Sequence, residues 1–286
     1  MSSSRETVHD QFFGREHVTV IEPPRRFALV SLREFWAYRE LLVTLAMRTV
    51  RVRYKQTVLG VAWALLQPLM QMVIFSVIFG RVAKLPSQGF PYPVFVYSGL
   101  VAWNYFAAST TSAVGSLVGN AHLISKVYFP RLIIPCSSVV GGLVDFAVSA
   151  VLLIALMIYY RVGITANLLV APLLVFGLAF TAAGVGMALG ALNVMYRDLQ
   201  YATPFMVQIW LYLTPVVYPA ESLPDSLRWI VAINPMTGMV DAFRSVFLGK
   251  PFDVPAILIS LAVSLLIFIV GAAYFQRVER RMADVV

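Results

Sequence analysis

The chain is poor in formal charge and nearly devoid of cysteine. Asp, Glu, Lys and Arg make up 13% of its 286 residues, hydrophobic residues 59%, and the mean hydropathy is +0.79. A water-soluble core of this size would not tolerate that balance. With Cys136 as the single cysteine, an internal disulfide and a multi-cysteine metal site are both excluded. No G-x-x-x-x-G-K-[ST] run occurs, so the backbone cradle and lysine that hold ATP phosphates are missing. Histidine is sparse too: His9 and His17 lie near the start, and His122 stands among small and apolar residues. That leaves no base beside paired acids for a glycosyl- or acyltransferase. Residues 1–30 lack the apolar core of a cleavable signal peptide and carry Glu6, Asp10, Arg15, Glu16 and Glu22, which makes them an expected polar cytosolic leader.

What is abundant is uncharged sequence long enough to cross a bilayer. The hydrocarbon layer is about 30 Å thick and takes about 20 apolar residues as a helix. The first such run follows Arg48, Arg51, Arg53 and Lys55 and extends from 56 to 80. Further spans are expected at 93–118, 132–160, 162–196, 199–220 and 254–276, giving an all-α polytopic membrane protein with six transmembrane helices. Basic residues favour the cytosolic side. Of the 22 Lys and Arg, ten precede the first span, two fall in 119–131, one is Arg197 and three follow Tyr274, which puts sixteen inside and six outside. Both termini are therefore expected in the cytosol. The net charge of +8 gathers beside apolar spans rather than on one polar module, so it marks topology and anionic lipid rather than nucleic acid.

Two segments do not read as simple connectors. Over 31–55, Arg33, Glu40, Thr44, Arg48, Arg51 and Lys55 recur at steps of three, four or seven, while Leu32, Phe35, Trp36, Leu42, Val43 and Ala46 cluster on another side. This predicts an amphipathic helix at the inner membrane surface, either a passive anchor or a functional contact. Over 219–253, Ser222, Pro224 and Asp225 suit a helix start, Asn234 and Pro235 interrupt it, and Gly249 and Pro251 close a second piece. In that second piece Met236, Met239, Val240, Phe243, Val246 and Phe247 form one apolar face, with Asp241 and Arg244 off it. Two short re-entrant helices fit this pattern; so does an external loop resting on the membrane.

Inside the spans, Asp145 is exceptional. A carboxylate at mid-membrane costs about 2.5–3.5 kcal/mol on insertion scales, so it needs a partner or water. A structural pairing is expected rather than a proton relay, because no second intramembrane acid or histidine accompanies it. Ala182, Gly186 and Gly190, four residues apart, allow another helix to approach closely.

Four separated runs then stand in order: RVRYKQTVLGVAWALLQP at 51–68, NAHLISKVYFPRLIIP at 120–135, NVMYRDL at 193–199 and LTPVVYP at 213–219. With them the chain resembles, from about residue 32 to 281, the permeases of bacterial ABC type-2 polysaccharide exporters, the O-antigen and teichoic-acid export group in particular. The resemblance implies a homodimer that docks two copies of a separate nucleotide-binding subunit. That subunit would bind ATP and Mg, and this chain would hold no cofactor and no metal. It further implies that 119–131 is the coupling loop, with His122, Lys126, Tyr128 and Arg131 as ATPase contacts and Arg197 with Asp198 as a second contact or a topology-marking turn.

A lipid-linked polysaccharide substrate would place its diphosphate near Arg48, Arg51, Arg53 and Lys55. Its sugars suit aromatic walls, for which Phe75, Phe79, Phe205, Trp210, Tyr212 and Tyr218 are the glycan-channel candidates, against a role as interfacial belt or packing. Met239, Val240 and Phe243 would form an outer gate. The corresponding domain plan is a leader at 1–30, an interface helix at 31–55, a membrane domain at 56–276 in the bacterial inner membrane, and a tail at 277–286. The competing class is a secondary transporter or channel working without an ATPase; it would need an ion-coupling site, and only Asp145 qualifies.

Overall fold

The computed structural model describes residues 32–55, 62–163, 165–222 and 224–282. The expected leader, the first residues of the first span and the last four residues lie outside this range. Among the described residues the fold is all helical. A short α1 (Leu32–Ala37) runs almost unbroken into α2 (Arg39–Lys55), since Tyr38 N–H donates to Glu34 and Leu42 N–H to Tyr38. Then come α3 (Ala62–Phe75), continued by a π-helical stretch Ser76–Val82, α4 (Tyr92–Gly119), a single turn α5 (Ala121–Ile124) and α6 (Ile133–Tyr159). A 3-10 segment Ala166–Val170 leads into α7 (Ala171–Met195), followed by α8 (Leu199–Leu213), α9 (Asp225–Ile233), α10 (Pro235–Leu248) and α11 (Val254–Met282).

Among the described residues, four stretches are long and apolar enough to cross a membrane: Ala62–Val82, Ile133–Tyr159, Ala166–Met195 and Val254–Glu279. The expected second and fifth spans differ for separate reasons. α4 has 28 residues but sits at the centre, packed on α3, α6, α7, α8 and α10, with Ser98, Ser109, Thr110 and Ser116 buried along it. A helix enclosed by protein needs no apolar surface all round. α8 stops after 15 residues, about 22 Å. It ends because Pro215 drives the preceding Thr214 into an extended conformation.

Backbones approach where small residues permit. The stripe in α7 meets α4, where a methyl at Gly190 would lie 3.3 Å from the Ala113 carbonyl, and Gly186 faces the Ala113 side chain. Gly184, two residues before Gly186, faces α11 instead: a methyl there would stand 2.7 Å from the Ile267 backbone, and one on Gly271 would collide with the Gly184 carbonyl. Close to these two glycines the Thr181 and Ser264 hydroxyls lie 2.7 Å apart.

The α4–α7 contact is parallel, so the ends of both helices emerge together and sort the connecting segments to two ends of the bundle. At one end lie 119–131, the 196–198 turn and the end of α11, tied by Asn193 Nδ2 donating to Val114 O (3.2 Å) and by Arg131 donating to Glu279 O (3.2 Å). At the other lie the segments around 90, 165, 217 and 250. There Tyr92 donates to Val217 O (2.6 Å), and Asn167 to Ser245 O (3.0 Å) and Lys250 O (2.9 Å).

Candidate functional site

The two short helices stand where Asn234–Pro235 and Gly249 predicted. Asn234 accepts from Met236 N–H (3.0 Å) to cap α10 and from Trp210 Nε1 (3.0 Å), and donates to Thr214 Oγ1 (2.9 Å). One amide thus fixes the start of α10 against the end of α8. Gly249 ends α10 in the left-handed conformation, φ 69°, which suits glycine. Met239, Val240 and Phe243 have no exposed surface, because α10 is enclosed by α4, α7 and α11. Arg244, expected off the apolar face, is buried as well. Its guanidinium lies 4.0 Å above the centre of the Phe95 ring and donates to Val216 O, so the cation is stabilised by a ring face and a carbonyl rather than by solvent.

A cleft of about 680 Å³ opens between α3, α4, α6 and α8. Gln67 and Gln71 from α3, Asn104 from α4 and Gln208 from α8 reach it, together with Trp63, Trp103, Tyr105 and Phe146. Asn104 Nδ2 donates to Gln71 Oε1 at 3.0 Å. Uncharged amides beside aromatic faces present donors, acceptors and flat apolar surface, the combination that suits a polyhydroxylated chain. Sequence inspection overlooked these residues because it followed formal charge. The available signal was Gln67 and Gln71, four apart in an otherwise apolar run.

One wall of the cleft carries Arg53, Tyr54 and Asp145. Asp145 accepts from both the Arg53 guanidinium and the Tyr54 hydroxyl. The partner that the acid needed comes from the end of α2. That helix does not stand alone at a surface: Ala46 and Leu45 are buried, and its backbone rests on α6, where a methyl at Gly141 would lie 3.3 Å from Ala46 O. Trp36 and Val43, expected on the apolar side, are exposed.

The remaining predicted site residues distribute as follows. Of the basic set, Arg48, Arg51 and Lys55 are exposed, and Arg48 donates to Asn120 Oδ1 at 3.3 Å. His122, Lys126 and Tyr128 are exposed along the 119–131 loop, as are Arg197 and Asp198 at the same end of the bundle. Arg131 is turned inward, its Nε 3.8 Å from Glu279. None of the six aromatics chosen for a glycan channel lines the cleft. Phe75 and Phe79 pack edge-on at 5.7 Å, Trp210 packs on Phe106 at 5.0 Å, and Tyr218 donates to Tyr212 O at 3.3 Å. Phe205 and Tyr212 are exposed on α8.

Comparison with known proteins gives a consistent picture. The ABC-2 type transporter family matches residues 40–248. The chain is 30% identical over 250 residues to the O-antigen export system permease protein RfbA of Klebsiella pneumoniae, covering 86% of this chain and 95% of that protein. To the protein of the same name from Myxococcus xanthus it is 29% identical over 257 residues, 88% and 98% of the two chains. To the polysialic acid transport protein KpsM of Escherichia coli it is 23% identical over 245 residues, 83% and 93% of the two chains.

Proposed function

The chain belongs to the ABC-2 type transporter family, and on that premise we propose that it is the membrane-spanning subunit of an ATP-driven exporter moving a lipid-linked polysaccharide across a bacterial inner membrane. The observation that carries the reading is the match over most of the chain to proteins named for O-antigen export and polysialic acid transport. The amide and aromatic lining of the cleft agrees with a glycan passing between helices. Because the sequence has no phosphate-binding loop, energy comes from a separate ATPase subunit. In the working assembly two copies of this chain pair, with six spans each, both termini in the cytosol and α9 with α10 as a re-entrant pair on the far side. The exposed face of α8 with Phe205 and Tyr212, and the end of α3 with its π-helical continuation, carrying Phe75 and Phe79, then contribute to the passage.

The end of the bundle bearing 119–131 and 196–198 is the docking face for the ATPase. Lys126 and Tyr128 offer a charge and an aromatic surface at its tip, while Arg131 and Glu279 brace the loop against α11. ATPase closure displaces this end as a rigid body. Replacing Lys126 with Glu and Tyr128 with Ala should lower retention of the ATPase on the purified permease at least tenfold without changing the permease's own melting temperature. Undiminished retention would remove the loop from the interface. Met239, Val240 and Phe243 close the opposite end at rest, so Val240→Ser should raise ion leak through the reconstituted assembly. Conductance equal to the parent's would end the gate assignment.

A further inference from the structure

We propose that Asp145 is a built-in substitute for a lipid phosphate: its carboxylate occupies an anion site formed by Arg53 and Tyr54, and an arriving lipid-linked phosphate displaces it. The proposal rests on the reading of this chain as an exporter of a lipid-linked polymer and adds to it the device that senses the anionic end of the cargo.

The acid lies twelve residues into α6, about 18 Å along the helix from Ile133. It is the sole formally charged residue of that helix. A residue serving only to hold α2 on α6 need not be charged, since Ala46 against Gly141 already provides close backbone contact. What the acid does supply is an oxyanion on a guanidinium and a phenolic hydroxyl. These are the donors that recognise phosphate oxygens, the guanidinium by its fork of N–H groups and the phenol by a single directed hydrogen bond. The pair faces the cleft rather than a closed core, with 38% of the Arg53 and 24% of the Asp145 side-chain surface exposed, so an incoming anion can reach both donors. Gln67 and Gln71 line the same cleft and supply neutral donors for whatever the phosphate carries.

Exchange needs no change in net protein charge. The phosphate takes the Arg53 guanidinium and the Tyr54 hydroxyl, and the freed Asp145 carboxylate turns into the cleft. The end of α2 then loses its side-chain link to α6, while the Ala46–Gly141 contact stays. Arg48, five residues earlier on the same helix, is bonded to Asn120 at the start of the 119–131 loop. Occupancy of the cleft is thereby conveyed to the end of the bundle assigned to the ATPase.

The test is binding of farnesyl diphosphate to the full chain in detergent, measured by titration calorimetry without ATPase or nucleotide. Inorganic pyrophosphate and farnesol serve as separate probes for the anion and the lipid. Asp145→Asn should tighten farnesyl diphosphate binding about tenfold. Arg53→Gln, and the double variant Arg53→Gln with Asp145→Asn, should weaken it more than tenfold below the parent. Farnesol should bind all four proteins alike, and pyrophosphate should follow the same ranking as the lipid diphosphate but more weakly. The double variant leaves no uncompensated charge and retains the α2–α6 contact, so it carries the comparison even if Asp145→Asn is poorly folded. Parent-like affinity in the double variant overturns the proposal, as does an Asp145→Asn protein that is folded and binds no tighter. Because the readout involves neither transport nor ATP, a protein that ranks as expected here but exports nothing with an ATPase would refute the exporter reading alone.

Discussion

Gly271→Val should abolish stable packing of α7 on α11 and leave little monodisperse protein. Any Cβ at Gly271 collides with the Gly184 carbonyl, and the reciprocal methyl at Gly184 would stand 2.7 Å from the Ile267 backbone. Both obstructions are main chain, so no side-chain rotation relieves them and the helices must separate. Overpacking a well-fitted interior costs about 1–3 kcal/mol even where side chains can adjust. Here the whole α7–α11 contact is displaced, which should reach several kcal/mol on the same scale. Gly115 supplies the control: a methyl there meets nothing within 4 Å, so Gly115→Ala should give parent-like yield and elution. Size-exclusion profiles of the two variants in one detergent compare them directly, and a monodisperse Gly271→Val protein melting with the parent would show that the helix contact is not tight.

Arg244→Ala should be nearly as damaging, by the opposite route of emptying a filled site. The side chain is 1% exposed and is among the largest fully buried ones. Its removal takes away a desolvated cation over Phe95, worth about 2 kcal/mol, and a charged hydrogen bond to Val216 O, worth about 1.5–3 kcal/mol, besides leaving a void. A loss of about 3–5 kcal/mol consumes a large part of ordinary domain stability. Arg244→Met should recover part of the loss by refilling the volume, though the Val216 carbonyl stays without its donor. Arg39→Ala, at an exposed position, should stay within about 0.5 kcal/mol of the parent. Melting of the four proteins in detergent gives the order parent, Arg39→Ala, Arg244→Met, Arg244→Ala. An Arg244→Ala melting point equal to the parent's would mean that the cation is hydrated.

These two positions show why some of the fold was legible in the sequence and some was not. Breaks and ends are local, so Asn234–Pro235, Gly249 and the Pro224–Asp225 start could be placed from the chain alone. Apolar length likewise located the helices at 62–82, 133–159, 166–195 and 254–279. Charge was the less reliable guide. Arg244 reads as a solvent-facing residue because an arginine stabilised by an aromatic face and a carbonyl looks, in sequence, like any other. For Asp145 the need for a partner followed from physics, but its partner lies 92 positions away in a segment that reads as a surface helix. The cleft was hidden for a related reason. Its amides carry no charge and interrupt apolar runs so slightly that Gln67, Gln71 and Asn104 passed as tolerated polar residues. Gly184 and Gly271 became meaningful only when α7 and α11 were seen to cross at them, whereas the evenly spaced stripe of Gly186 and Gly190 announced a contact without naming α4 as its partner.

The central claim is that this chain provides a passage and no power of its own. Its most direct test is uptake of a fluorescent lipid-linked oligosaccharide by vesicles containing the purified chain, with and without its ATPase subunit and with ATP or a non-hydrolysable analogue. The account predicts translocation only when the ATPase and hydrolysable ATP are both present. Translocation by the chain alone would contradict it.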